Sequence, residues 1–279
     1  MSRRLVTAAI LLGIVGLSFG LWHWPVFRSL LVIATMVIGI MCTFEMADML
    51  RRKDLKIYRR VASWGVFALM LEAAFFHLKY SFVIFGLAVL ATWIFRMRKE
   101  VDGAWQDLSG TCFTLAYIGV PMAALVHLYT ATFESACWLL LALFVIWSTD
   151  SFALFAGRLF GRHKLWPKIS PGKTWEGAAG GLVGAIGVVL VAWHWFPGNF
   201  PGATLPEFIG FALMFSIVSQ YGDLAESLIK RDVGVKDSGS GLTGHGGFLD
   251  LMDAAIFTAV PLLAYVMLFH PNALVTGTS

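Results

Sequence analysis

Residues 222–253 read GDLAESLIKRDVGVKDSGSGLTGHGGFLDLMD. Apolar runs flank this polar, glycine-rich interval on both sides, so its reading governs that of the whole chain. Six glycines fall between Gly234 and Gly247, among Lys230, Arg231, Lys236, Asp237 and His245. Asp223 precedes the loop, and Asp250 and Asp253 follow it. Backbone N–H groups made accessible by glycine, fixed cations and carboxylate oxygens together suit a polyphosphate held with a divalent ion. A mere linker between two membrane spans has no need for so many charges beside the bilayer.

On a helix, Asp223, Glu226, Ser227 and Lys230 are spaced at i, i+3, i+4 and i+7 and share one face. An acidic, polar and basic stripe at the end of an apolar span is costly against lipid, so it is expected to face the interior or a hydrated cavity. One outcome is a structural Asp–Lys pair that locks two helices. The other is a metal site, with Asp223 and Asp250 as the first ligands and Asp253 next, completed by waters and phosphate oxygens.

The surrounding composition places this interval in a membrane. The chain of 279 residues is 58% hydrophobic and 14% charged, with a mean hydropathy of +0.75. A soluble domain carries about a quarter charged residues. Cys42, Cys112 and Cys137 show no C-x-x-C spacing, which argues against a disulfide framework or a zinc site. Apolar runs of crossing length, about 20 residues each, lie near 5–24, 27–47, 61–77, 80–96, 110–129, 133–155, 174–196, 207–228 and 251–269. The expectation is an all-α polytopic membrane protein of about nine transmembrane helices in a single domain over 1–279, with N-terminal spans over 1–130 and catalytic spans and loops over 131–279. The first run is read as a retained span, because Trp22 and Trp24 follow it where a cleavage site would need small residues.

Charge sets the orientation. With a cytoplasmic N-terminus, only Arg28 and Lys79 of the 21 Lys and Arg fall on the outer side, as the positive-inside rule requires. The C-terminus is then outside, and both polar loops face the cytoplasm, where nucleotides are found. The basic run RRKDLKIYRR at 51–60 reads as a topology anchor that touches anionic headgroups. Glu45 and Asp48, one turn apart at the end of the second span, can equally help shape the polar cavity or pair with that run, and are left outside the site.

A second polar segment, DSFALFAGRLFGRHKLWPKISPGKTWEG, covers residues 150–177. Pro171 breaks the chain before a new helix, whose first turn can bind anions. Lys173 and Thr174 are expected there on a phosphate, and Glu176 on a metal or on the lysine. A Walker A loop is excluded, because Pro167 stands where the motif needs its first glycine.

Both segments carry a resemblance. Ser227, Lys230, Arg231, Lys236, Asp237, Gly239, Leu242, Gly244, His245, Gly246, Gly247, Asp250 and Asp253 fall on the pattern S-x-x-K-R-x4-K-D-x-G-x-x-L-P-G-H-G-G-x-x-D-R-x-D of phosphatidate cytidylyltransferases (CDP-diacylglycerol synthases). Thr243 replaces the usual proline and Leu251 the usual arginine. Ser170-Pro171-Gly172-Lys173-Thr174-Trp175-Glu176-Gly177 resembles that family's S-P-x-K-T-x-E-G. The resemblance implies transfer of a cytidylyl group from CTP to phosphatidate with magnesium, leaving a second cation open, and a homodimer; the compact chain adds the expectation of a bacterial inner membrane. It implies catalytic roles for Lys173, Ser227, Lys230, Arg231, Lys236, Asp237 and His245. Substrate contacts would come from Ser170, Thr174, Glu176, Gly239, Gly244, Gly246 and Gly247. Nothing in the pattern points to nucleic acid. A CTP-dependent lipid kinase, a family member without catalysis and a transporter are the other readings.

Overall fold

The computed structural model describes residues 13, 16, 19–53, 55, 57–98, 101–239 and 246–275. Eight helices follow one another among them: α1 Pro25–Arg51, α2 Arg59–Phe76, α3 Ser81–Arg96, α4 Ala104–Thr130, α5 Phe133–Phe160, α6 Trp175–Trp195, α7 Leu205–Asp232 and α8 Phe248–Phe269. Six of these (α1 and α4 to α8) are long and apolar enough to cross a membrane. The chain is therefore an all-α integral membrane protein, apart from a small hairpin of β1 Lys164–Trp166 and β2 Ser170–Thr174. Most of the run near 5–24 lies outside the described residues. At 28 residues each, α5 and α7 exceed the roughly 20 that hydrocarbon requires. Polar groups near their ends can thus lie beyond the apolar layer.

Chain contacts divide the protein into two compact units, residues 1–131 with 232–252 and residues 132–231 with 253–279. In the first, α2 packs on α1, α3 and α4. Small residues allow it, as expected where lipid removes most of the hydrophobic drive between helices. A side chain at Gly39 of α1 would meet Met70 Sδ at 2.9 Å, and one at Gly119 of α4 would meet Leu69 at 3.0 Å. A π-helical turn at Leu115–Gly119 rephases α4, and Leu115 fills the space beside Gly65. Buried Glu72 accepts hydrogen bonds from Tyr80 N and Ser81 Oγ and so caps α3. Arg96 and Asp107 form a buried ion pair at 3.2 Å, which ties the end of α3 to α4.

In the second unit α6 lies close against α5. Gly177, Gly180, Gly181 and Gly184 form one stripe of α6; a side chain at Gly177 would sit 2.8 Å from Ala153 O, and one at Gly181 2.9 Å from Thr149. Near the start of α5, fully buried Trp138 is ringed by Phe200, Phe208, Phe211, Tyr265 and His270. Tyr265 donates to Glu207 Oε1 at 2.7 Å, and His270 Nε2 lies 2.6 Å from the same oxygen.

Candidate active site

The end of α5 leads into the hairpin, where Lys164 pairs with Thr174 and Trp166 with Ser170 across an irregular register. Thr174 then accepts from Gly177 N at 3.1 Å as the N-cap of α6. This corrects the sequence reading: Lys173 and Thr174 end a strand and do not lie in the first helical turn, and the Thr174 hydroxyl is spent on capping. Glu176 also takes a different partner. Its carboxylate accepts from Arg162 N at 3.2 Å and lies 2.6 Å from His163 Nδ1, closing the base of the hairpin.

Lys173 reaches across to α7 instead. Its Nζ lies 2.8 Å from Asp223 Oδ2 and donates to Gln220 O at 3.2 Å. Arg231, at the end of the same helix, donates to Ile169 O at 3.3 Å and so tethers the hairpin turn. Between these elements lies a cavity of about 410 Å³, whose polar wall includes Asp150, Arg158, Ser170, Lys173, Gln220 and Asp223.

Along α7 the acids and bases are paired. Ser227 Oγ donates to Asp223 Oδ1 at 3.3 Å, and buried Lys230 lies 2.6 Å from buried Glu226. Lys230 thus takes an acid of its own helix as an ion-pair partner. Gly222 brings α8 close, since a side chain there would meet Ala254 Cα at 3.0 Å and Asp253 O at 3.2 Å. Asp253 consequently lies in the electrostatic field of Asp150, Asp223 and Glu226. Among the described residues, no three His, Cys, Asp or Glu side chains converge to hold a metal by themselves. An all-oxygen donor set nevertheless fits a hard divalent cation, which retains waters and takes substrate phosphate as a ligand.

The glycine loop belongs to the first unit and is organised by two acids. Asp250 Oδ2 accepts from Ser238 N and Ser238 Oγ, both at 2.9 Å, and from Gly247 N at 2.7 Å. Glu45, from α1, accepts from Phe248 N at 2.9 Å, Leu249 N at 2.8 Å and Ser238 Oγ at 3.1 Å. It caps α8, whose first N–H groups have no partner within the helix. Gly239 and Gly247 leave no room for a side chain beside Glu45, and neither does Gly246, at φ +83°, beside Asp250. These glycines therefore serve close packing around carboxylates, and the Gly247 N–H is already used. Lys236 and Asp237 are exposed on this loop. Gly244 and His245, with Leu242 and Thr243, lie outside the described residues. Leu251 is on the exposed side of α8.

The sequence reading missed Glu45 as an organiser of the loop and Asp150 as part of the cavity. Both are acids within apolar runs, a signal that by itself marks a functional position.

A family model described as the Cytidylyltransferase family matches residues 2–269. Relatives called phosphatidate cytidylyltransferase are similar to this chain. One from Staphylococcus saprophyticus is 39% identical over 165 residues, which cover 59% of this chain and 61% of that protein. One from Bacillus subtilis is 32% identical over 242 residues, covering 84% and 88%. A third, from Haemophilus influenzae, is 41% identical over 153 residues, covering 54% and 52%. The chain thus spans about three fifths of the length of the first of these and most of the second.

Proposed function

The chain belongs to the cytidylyltransferase family, and from that premise we propose that it transfers the cytidylyl group of CTP to phosphatidate, giving CDP-diacylglycerol and pyrophosphate. The observation that carries the reading is the Lys173–Asp223 pair at 2.8 Å on the wall of a polar cavity that also presents Asp150 and Arg158.

The reaction joins two anions. A phosphatidate oxygen attacks the α-phosphorus of CTP, a new P–O bond forms, and the bond to the β-phosphate breaks to release pyrophosphate. A phosphate monoester has its second pKa near ~6, so the attacking group is anionic at neutral pH and needs no strong base. The protein's work is charge neutralisation and in-line placement. Lys173, fixed by Asp223 and Gln220 O, offers an ammonium at a set position on the cavity wall. Arg158 offers a planar fork suited to phosphate oxygens. Ser227 and the Glu226–Lys230 pair hold the face of α7 that carries Asp223. Magnesium, when bound, supplies further neutralisation of triphosphate oxygens, and Asp223 and Asp253, with Asp150 beside them, are the groups that would hold it. Asp250 is assigned to holding the glycine loop. For Lys236, Asp237 and His245 the catalytic roles are those that the resemblance implies.

The same proposal places about nine helices in a bacterial inner membrane, N-terminus inside and C-terminus outside, as a homodimer with its chemistry facing the cytoplasm. The test is pyrophosphate release by purified protein in detergent with CTP, magnesium and phosphatidate, each omitted in turn. Release that needs all three, matched by CDP-diacylglycerol, supports the reading. Release of CDP with a lipid alcohol as acceptor makes the protein a lipid kinase, and no turnover with either acceptor overturns the catalytic reading.

A further inference from the structure

We propose that the first unit carries a binding groove for one acidic glycerophospholipid, with the lipid phosphate at Arg59 and Arg60 and an acyl chain on either side of Trp64. The proposal does not depend on the catalytic reading. Two cavities meet at these residues. One, of about 960 Å³, runs between α2 and α3, and the other, of about 510 Å³, lies between α1 and α2. Arg59, Arg60 and Trp64 line both.

Helical spacing explains the groove. Trp64, Gly65 and Ala68 lie on one face of α2, and Ala88 and Ala91 on one face of α3. A side chain at Gly65 would meet Ala88 Cβ at 3.1 Å, so small residues make a floor where the helices approach. Trp64, 71% exposed, stands up from that floor as the divider. Both cavities fall within the roughly 300–1,000 Å³ usual for small-molecule sites.

The headgroup end is cationic. Arg51, Arg59 and Arg60 line the larger cavity. Among the described residues Asp48 is the one acid paired with them, 3.7 Å from Arg51 and 3.6 Å from Arg59, so one carboxylate there faces three guanidinium groups. Arg59 is held in place over the Phe44 ring at 3.8 Å. Guanidinium groups match phosphate oxygens in a planar fork. A soluble anion would gain nothing from the two apolar channels, and a neutral lipid nothing from the arginines. One phosphate above two chains uses every part.

Trp64 provides the readout. The full chain would be reconstituted in phosphatidylcholine vesicles doped with an equal share of brominated phosphatidylglycerol or brominated phosphatidylcholine. Subtracting Trp64→Phe isolates the fluorescence of that residue. The expected result is stronger quenching by the acidic lipid, weakened about five-fold per arginine removed, so that Arg59→Gln/Arg60→Gln treats the two lipids alike. Ala68→Phe, which fills the floor and keeps the arginines, should reduce quenching by the acidic lipid. Equal quenching by both lipids in the unaltered chain overturns the proposal, as does a preference that survives either variant.

Discussion

Asp223 gives one carboxylate oxygen to Lys173 and the other to Ser227. Asp223→Asn keeps the shape and removes the charge, and Lys173→Met removes the ammonium; each is expected to lower pyrophosphate release by about 100-fold or more. Groups that act as a unit are not additive, so the double variant should lose little beyond the worse single. Near-normal turnover in either single would place the chemistry elsewhere. Glu45→Gln tests a different role. Loss of its charge leaves α8 poorly capped, at a cost of about 1–3 kcal/mol, which a lower melting temperature in detergent would register. The sequence made the first pair legible only in part. Motif resemblance identifies Lys173 and the polar stripe of one helix face identifies Asp223, but their contact spans a strand and a helix 50 positions apart (223 − 173), and no local spacing encodes it. From the sequence, Glu45 can equally shape a polar cavity or pair with the basic run, and nothing local decides between them. Asp48 does take that partner, whereas Glu45 reaches residues some 200 positions away.

Among the elements, hydropathy located the helices from 27 onward to within a few residues, because a helix in lipid must be both apolar and long. It could not foresee that 170–174 pairs as a strand, since Pro171 and Gly172 read equally well as a helix approach. Nor could it foresee the π turn of α4, which answers tertiary packing against α2. Two helix contacts can be broken cleanly. Asp107→Ala takes the paired carboxylate from the buried Arg96 guanidinium, which keeps its bond to Asp102 O, and is expected to cost about 3–5 kcal/mol, visible as loss of folded protein on mild heating. Gly181→Leu forces α6 off Thr149 of α5. Because the cavity wall includes the first residues of α6, this variant should lose activity even in preparations that stay monodisperse.

At the scale of the whole chain, the distribution of Lys and Arg makes a prediction about sidedness. With Cys42, Cys112 and Cys137 replaced, a single cysteine at Lys168 should react with an impermeant thiol reagent only from the cytoplasmic face, and one at Gly198 only from the other. The reverse pattern would overturn the orientation. The aromatic cluster around Trp138 bears on the same question of two faces. Trp138 and Asp150 are twelve residues apart on α5, or about 18 Å along the helix. The polar cavity therefore stands at one end of the second unit, and a dry plug of rings, fastened by Glu207, Tyr265 and His270, fills the other. On the reading proposed above, a hydrated nucleotide site at one end of the unit would be a potential leak for protons, and the ring cluster at the other end would serve as its insulation.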